Sequence, residues 1–165
     1  LGHVLNKDGI KPNPSKIEVI QKIPVPTDIH QLKRFLGLTG YYRKFIKNYA
    51  RITDPLNKLL KKNTLYKWTE LCDKAFNNLK QKLCKSPILA HPNYQLPFKL
   101  FTDASTIGLG AVLSQDQDGK EVVISYASRT LSPSERNYTI TELECLAIVW
   151  AVKHLDLIYM GLNSL

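Results

Sequence analysis

The hydrophobic pattern of this chain changes between residues 86 and 97. Before that stretch, apolar residues recur at helical spacing among many lysines; after it they fall into short strand-like runs. A chain that is helical first and strand-bearing second has two kinds of apolar face to bury, which points to an α+β architecture. The charge divides at nearly the same place. Residues 1–90 carry 18 Lys and Arg against 6 Asp and Glu, whereas residues 91–165 carry 5 against 8. A basic unit that binds a polyanion, followed by an acidic unit, is one reading; a solvated Lys-rich surface is the other.

A length of 165 residues allows one ordinary domain or two small ones. The hydrophobic fraction of 44% fits a globular protein, and no apolar run is long enough to span a membrane. The opening "LGHVLNKDGI" has no initiating Met, no basic leader and no secretion signal. The expectation is a piece of a longer reading frame. Cys72, Cys84 and Cys145 are an odd number without CxxC spacing, so neither a disulfide framework nor a zinc site is expected, and a reducing compartment is.

"LGHVL" and "GIKPN" flank the Asp-Gly turn of an expected hairpin. Ser15 is placed to cap "KIEVIQKI", which Pro24 ends. A second helix starts at Thr27 or Asp28, with Leu32, Phe35, Leu36, Tyr42, Phe45 and Ile46 in one helical period. Its other face aligns Lys33, Gly37 and Tyr41. A mid-helix glycine costs about 1 kcal/mol relative to Ala. Gly37 and Gly40 therefore need a reason: close packing on another helix, or approach to a nucleic-acid groove with Lys33, Arg43, Lys44 and Lys47 at phosphates. Thr53-Asp54-Pro55 reads as the start of a third helix carrying Leu56, Leu59 and Leu60. Thr69 caps a fourth, with Cys72, Ala75, Phe76, Leu79 and Leu83 as its buried stripe. Strands follow at "FKLFTDAS", "GLGAVLSQ" and "EVVISYASRTL"; the last helix, "TITELECLAIVWAVKHLDLI", is apolar nearly all round and is expected to be buried on more than one side.

Two carboxylates stand out in the second unit. Asp103 ends the first of these strands. Glu142 has capping-box spacing from Thr139, whereas Glu144 has no such local duty and enters the apolar part of the helix. A buried carboxylate needs compensation, and two brought together repel unless a divalent cation binds between them. Asp103 with Glu144 is thus a candidate Mg2+ site, with a turn cap as the plainer alternative for Asp103. Arg129 could touch a nucleic-acid backbone or be an ordinary surface arginine. Gly108 and Gly110 suit substrate approach or a bulge. His3, His30, His91 and His154 show no metal-ligand spacing.

"TDAS" at a strand end, "SYASRTLSPSERNYTITELECLAIVWAVKHL" and the upstream "FLGLTGYYRKFI" together resemble the pol polyprotein of gypsy-like LTR retrotransposons, collinearly over essentially the whole chain. The resemblance implies an α+β chain: residues 1–25 as the end of a reverse transcriptase palm, 26–90 as thumb and connection helices, and 91–165 as the N-terminal part of an RNase H-like unit, truncated to three antiparallel strands and one helix. It implies Lys33, Gly37 and Tyr41 as the face on the minor groove of template–primer, with Arg43, Lys44 and Lys47 nearby. It also implies Asp103 and Glu144 as two of four acids that hold two Mg2+ ions for cleavage of RNA in an RNA–DNA hybrid.

The family's third acid, in "TDH", its fourth acid and the polymerase "YxDD" have no match within the 165 residues, and Asp156 lies about 18 Å along the helix from Glu144. The expected function is therefore a fragment of an RNA-directed DNA polymerase/RNase H that is inactive by itself. A non-catalytic nucleic-acid-binding or structural remnant is the alternative. The implied partners are nucleic acid and the rest of the polyprotein, and no membrane. The implied location is the cytoplasm, in a virus-like particle, or the nucleus. A three-stranded unit with one helix is also expected to leave a sheet edge and much of the apolar helix uncovered, a hazard for aggregation.

Overall fold

The computed structural model describes residues 2–160, and their side chains as far as residue 155. Strands β1 (His3–Asn6) and β2 (Gly9–Pro12) form the expected antiparallel hairpin. Helix α1 (Pro14–Gln21) is capped by Asn13, whose side chain accepts from the Ser15 N–H at 3.0 Å. The sequence places that cap at Ser15; Pro14 takes the first helical position, which suits its fixed φ, and moves the cap upstream. Helix α2 (Ile29–Tyr41) is capped by Asp28, which accepts from the Gln31 N–H at 2.9 Å. It stops short of the expected period. Tyr42, Phe45 and Ile46 are still buried, from a 3-10 turn over Arg43–Phe45.

Helix α3 (Tyr49–Lys58) begins a turn earlier than Thr53-Asp54-Pro55 suggests, so Pro55 lies inside it. Asn48, in the left-handed region at φ 59°, turns the chain into the helix. The Ala50 N–H, left without an intrahelical acceptor, donates to Ser128 Oγ at 3.0 Å. Helix α4 (Glu70–Cys84) follows its sequence pattern throughout. Thr69 caps it, and Cys72, Ala75, Phe76, Leu79 and Leu83 are its buried stripe. Phe76 packs on Phe35 with tilted rings, centroids 4.6 Å apart, and lies edge-on to Trp68 at 5.9 Å. Lys80 Nζ lies over the Phe76 ring and donates to the carbonyls of Gln21 and Ile23, which docks the end of α1 on α4.

Strands β3 (Phe98–Ala104), β4 (Gly108–Gln117) and β5 (Lys120–Thr130) form an antiparallel sheet in the order β3-β4-β5. The β4–β5 turn places Asp118 and Gly119 at φ 51° and 75°, as a tight hairpin turn of matching twist requires. Helix α5 (Ile140–Met160) covers one face. Leu143 and Ala147 pack on Ala104, Leu109 and Leu131, while Leu155 packs with Leu100, Leu113 and Ile124. Helix α5 therefore runs antiparallel to β3.

The other face is covered in part, at β5. Val123 and Tyr126 of β5 are partly buried against the core formed by α1–α4, whereas Phe101 of β3 is half exposed and β3 keeps an outer edge among the described residues, the open edge that the sequence leads one to expect. Ile148, Val149 and Val152 of α5 are about half exposed, so only one side of this helix is buried among the described residues; that corrects the expected burial on more than one side and agrees with the helix surface expected to lie uncovered in a three-stranded unit. The stretch where the pattern changes is pinned at several points. Leu89 exchanges backbone hydrogen bonds with Ile10, and the Ala90 N–H donates to the Val123 carbonyl at 2.8 Å. Buried Gln115 holds the following loop, donating to the Asn93 and Leu96 carbonyls and accepting from the Asn93 N–H. No helix among the described residues is long and apolar enough to cross a membrane.

Phe76 is 1% exposed at the centre of the helical layer. Its replacement by Ala is expected to lower unfolding stability by about 3–5 kcal/mol, measured by denaturant unfolding.

Candidate functional site

The outer face of α2 carries Lys33, Gly37 and Tyr41, all exposed. A Cβ at Gly37 would meet nothing within 4 Å, so helix packing is not what this glycine serves. Gly40, by contrast, faces the Tyr49 hydroxyl, which bonds Thr39 Oγ1 at 3.0 Å and donates to the Leu36 carbonyl at 3.3 Å. Tyr41 is held from below by His3 of β1, with ring centroids 4.9 Å apart and the hydroxyl 3.3 Å from His3 Nδ1. Burial, reinforced by the charge of Lys44, pushes the His3 pKa down and favours the neutral ring. Arg43 is exposed on the 3-10 turn; Lys44 is half-buried over the Phe45 ring. Lys47 stands apart from the α2 row and lines a groove with Lys82 of α4.

Asp103 is exposed near the end of β3, an outer strand among the described residues. Strand alternation fixes its face. Ala104 and Leu100 point to α5, so Asp103 points to the opposite side, toward Asn48 and Arg51 of the α3 start. Its register partner is Gly110, where a Cβ would lie 2.8 Å from Asn48 Oδ1. The glycine thus lets the Asn48 side chain close over the strand beside Asp103. A Cβ at Gly108 would press on the Arg129 backbone, and the sheet's irregularity falls at Leu113/Ser114, so neither glycine makes a bulge.

Glu144 is exposed, not buried as the apolar run around it suggests. The side of α5 that turns inward holds Leu143, Ala147 and Ala151, and Glu144 sits on its flank. Leu146, Trp150 and Lys153 occupy the flank beside Arg129 of β5, which leaves Glu144 on the flank toward β3. Because α5 antiparallels β3, Glu144 lies level with the strand end that carries Asp103. The two carboxylates thus approach the outer edge of β3 from its two faces. Neither makes a hydrogen bond or ion pair among the described residues. Glu142 closes the expected capping box, accepting from the Thr139 N–H at 2.7 Å. The side chain of Asp156 and residues 161–165 lie outside the described residues.

Oxygen donors of this kind suit Mg2+. Yet no group of three or more His, Cys, Asp or Glu side chains converges among the described residues. These residues therefore do not by themselves fit a two-ion centre. Arg129 is committed elsewhere, in a forked pair with Glu135 at 2.7 and 2.9 Å and over the Trp150 ring. His3, Asn48, Arg51 and Lys82 carry no local sequence signal for a site; separate elements bring them to it.

The family model described as an RNase H-like domain found in reverse transcriptase matches residues 68–164, and the chain belongs to that family. It is 43% identical, over its whole length, to the retrovirus-related Pol polyprotein from transposon opus of Drosophila melanogaster, and spans 18% of that protein. It is 49% identical over 93% of its length to the Pol polyprotein from transposon 297 of the same species, spanning 14% of it. To the Pol polyprotein from transposon gypsy it is 40% identical over 94% of its length, spanning 16% of it. Its fold matches a foamy viral protease-reverse transcriptase in complex with RNA/DNA hybrid, with TM-score 0.78 and 22% identity, over 94% of this chain and 21% of that one.

The Arg129 guanidinium, followed by the Ser132 N–H, holds the Glu135 carboxyl down at about 2 against an ordinary 4.5. A folded-state pKa below the unfolded one stabilises fully above the unfolded value and is lost as pH falls through the folded value. The stability advantage of the natural chain over Glu135→Gln is therefore expected to be constant above about pH 5 and to shrink from there toward pH 2, in thermal unfolding followed by circular dichroism.

Proposed function

We propose that this chain is part of a retrotransposon reverse transcriptase/RNase H, and that it grips template–primer and supplies two carboxylates to a divalent-cation site that cleaves RNA in an RNA–DNA hybrid. The observation that carries the reading is Asp103: an exposed, unpaired carboxylate at the end of an outer strand, level with Glu144. In this reading, residues 1–25 close the polymerase palm, 26–90 are thumb and connection, and 91–165 begin the RNase H unit. Asp103 and Glu144 are the carboxylates toward Mg2+, whose chemistry when bound is stabilisation of the attacking and leaving oxygens. The likeness to Pol polyproteins and the RNase H-like fold support this reading.

Lys33, Gly37 and Tyr41 are the groove face, with Arg43 and Lys44 beside them. The open space over Gly37 favours it, since nothing among the described residues uses that space. It also favours a second reading, nucleic-acid binding without cleavage. The two separate at Asp103. Within the whole polyprotein, Asp103→Asn and Glu144→Gln are each expected to abolish Mg2+-dependent hybrid hydrolysis while leaving hybrid affinity within about twofold. Hydrolysis that survives either substitution removes that residue from the cation site.

Gly37→Ala separates stability from binding. With no neighbour to meet, the added methyl is expected to raise stability by about 0.5–1 kcal/mol. The same methyl blocks the approach of a groove, so duplex affinity falls at least several-fold. Unchanged affinity in a fluorescence anisotropy titration would sink the α2 assignment.

A further inference from the structure

A groove of 320 Å3 lies between the 3-10 turn and the C-terminal half of α4, lined by Lys47, Lys82, Lys85 and Tyr126 of β5. Lys47 and Lys82 also border an adjoining hollow with Asn48 and Arg51. Asn48 and Arg51 in turn border the cleft that contains Asp103. Four cationic side chains thus succeed one another along a path that ends at the candidate catalytic aspartate.

All four are exposed, and none makes an ion pair among the described residues. Along the path, Asp103 is the only acid among the lining residues. A single phosphate ion calls for donors that converge on one point, whereas this row is drawn out over three adjoining hollows. Its shape and charge match a linear polyanion.

We infer that this path is a track for the phosphodiester backbone of one nucleic-acid strand. Lys85 stands at its entrance, Lys82, Lys47 and Arg51 contact successive phosphates, and Tyr126 lines the same groove. The strand leaves the track at Asp103. The track is separate from the α2 face, and its role in feeding Asp103 rests on the function proposed above.

Binding of a labelled RNA–DNA hybrid to the full chain, followed by fluorescence anisotropy across a salt series, tests it. Each phosphate contact contributes about 0.9 to the slope of log affinity against log salt. Arg51→Gln with Lys82→Gln is expected to lower that slope by about 2, and Arg51→Lys with Lys82→Arg to keep it. Lys61→Gln with Lys62→Gln removes equal charge from an exposed segment beyond α3 and is expected to change it little. Unfolding temperatures close to that of the natural chain show that each variant is folded, as exposed, unbonded side chains require. An equal fall in both Gln pairs means a diffuse basic field and overturns the track. An unchanged slope in Arg51→Gln/Lys82→Gln, with a lowered slope in Lys33→Gln, overturns the track and leaves the α2 face standing. A natural chain whose hybrid affinity ignores salt overturns both.

Discussion

Strand β5 is where the two halves of this protein become one body. Its Val123 and Tyr126 side chains pack, partly buried, against the core of the helical layer, its Ser128 hydroxyl accepts from a free N–H in the first turn of α3, and its Val123 carbonyl accepts from the Ala90 N–H. Full burial of such an apolar side chain is worth on the order of 1.5–3 kcal/mol, and these two, partly buried, gain a share of it. The acidic sheet and the basic helices therefore cannot drift relative to one another without opening a shared core. Everything proposed for function depends on that. Asp103 has a defined neighbourhood only because Asn48 and Arg51 come from an element clamped to the strand two places away.

Elements whose signals are local were legible in the sequence. Helix α4 follows from Thr69 and a clean apolar stripe, and the capping box separates Glu142 from Glu144 as the spacing implies. What escaped has partners far along the chain. The start of α3 is set by Ser128, 78 residues away, and no local pattern near Pro55 contains that information. The two glycines of α2 look alike in sequence, yet Gly40 faces a tyrosine hydroxyl and Gly37 faces open space. The sequence of α5 implies burial on more than one side because hydrophobicity reports the wish to be covered, not the presence of a cover.

The candidate site divides in the same way. Asp103 and Glu144 could be picked out by residue type and position. Period-two alternation also places Asp103 opposite Ala104, so its side of the sheet was available in principle once the helix covering Ala104 was known. Asn48, Arg51 and Lys82 were not available, because they meet only after the 3-10 turn, α3 and α4 have folded onto one another. Tyr41 was singled out, but not the histidine beneath it, since His3 is 38 residues upstream and unremarkable on its strand.

The half-exposed aliphatic flank of α5 has a consequence for how the isolated chain behaves in solution. With a formal net charge of +9, neighbouring copies repel, and that repulsion keeps Ile148, Val149 and Val152 of different molecules apart. Added salt shortens the range of the repulsion to about 10 Å or less, leaving greasy contact between copies unopposed. Conditions that loosen a phosphate backbone from the lysines thus also invite clustering, which leaves a narrow ionic-strength window for a dispersed, ligand-free protein.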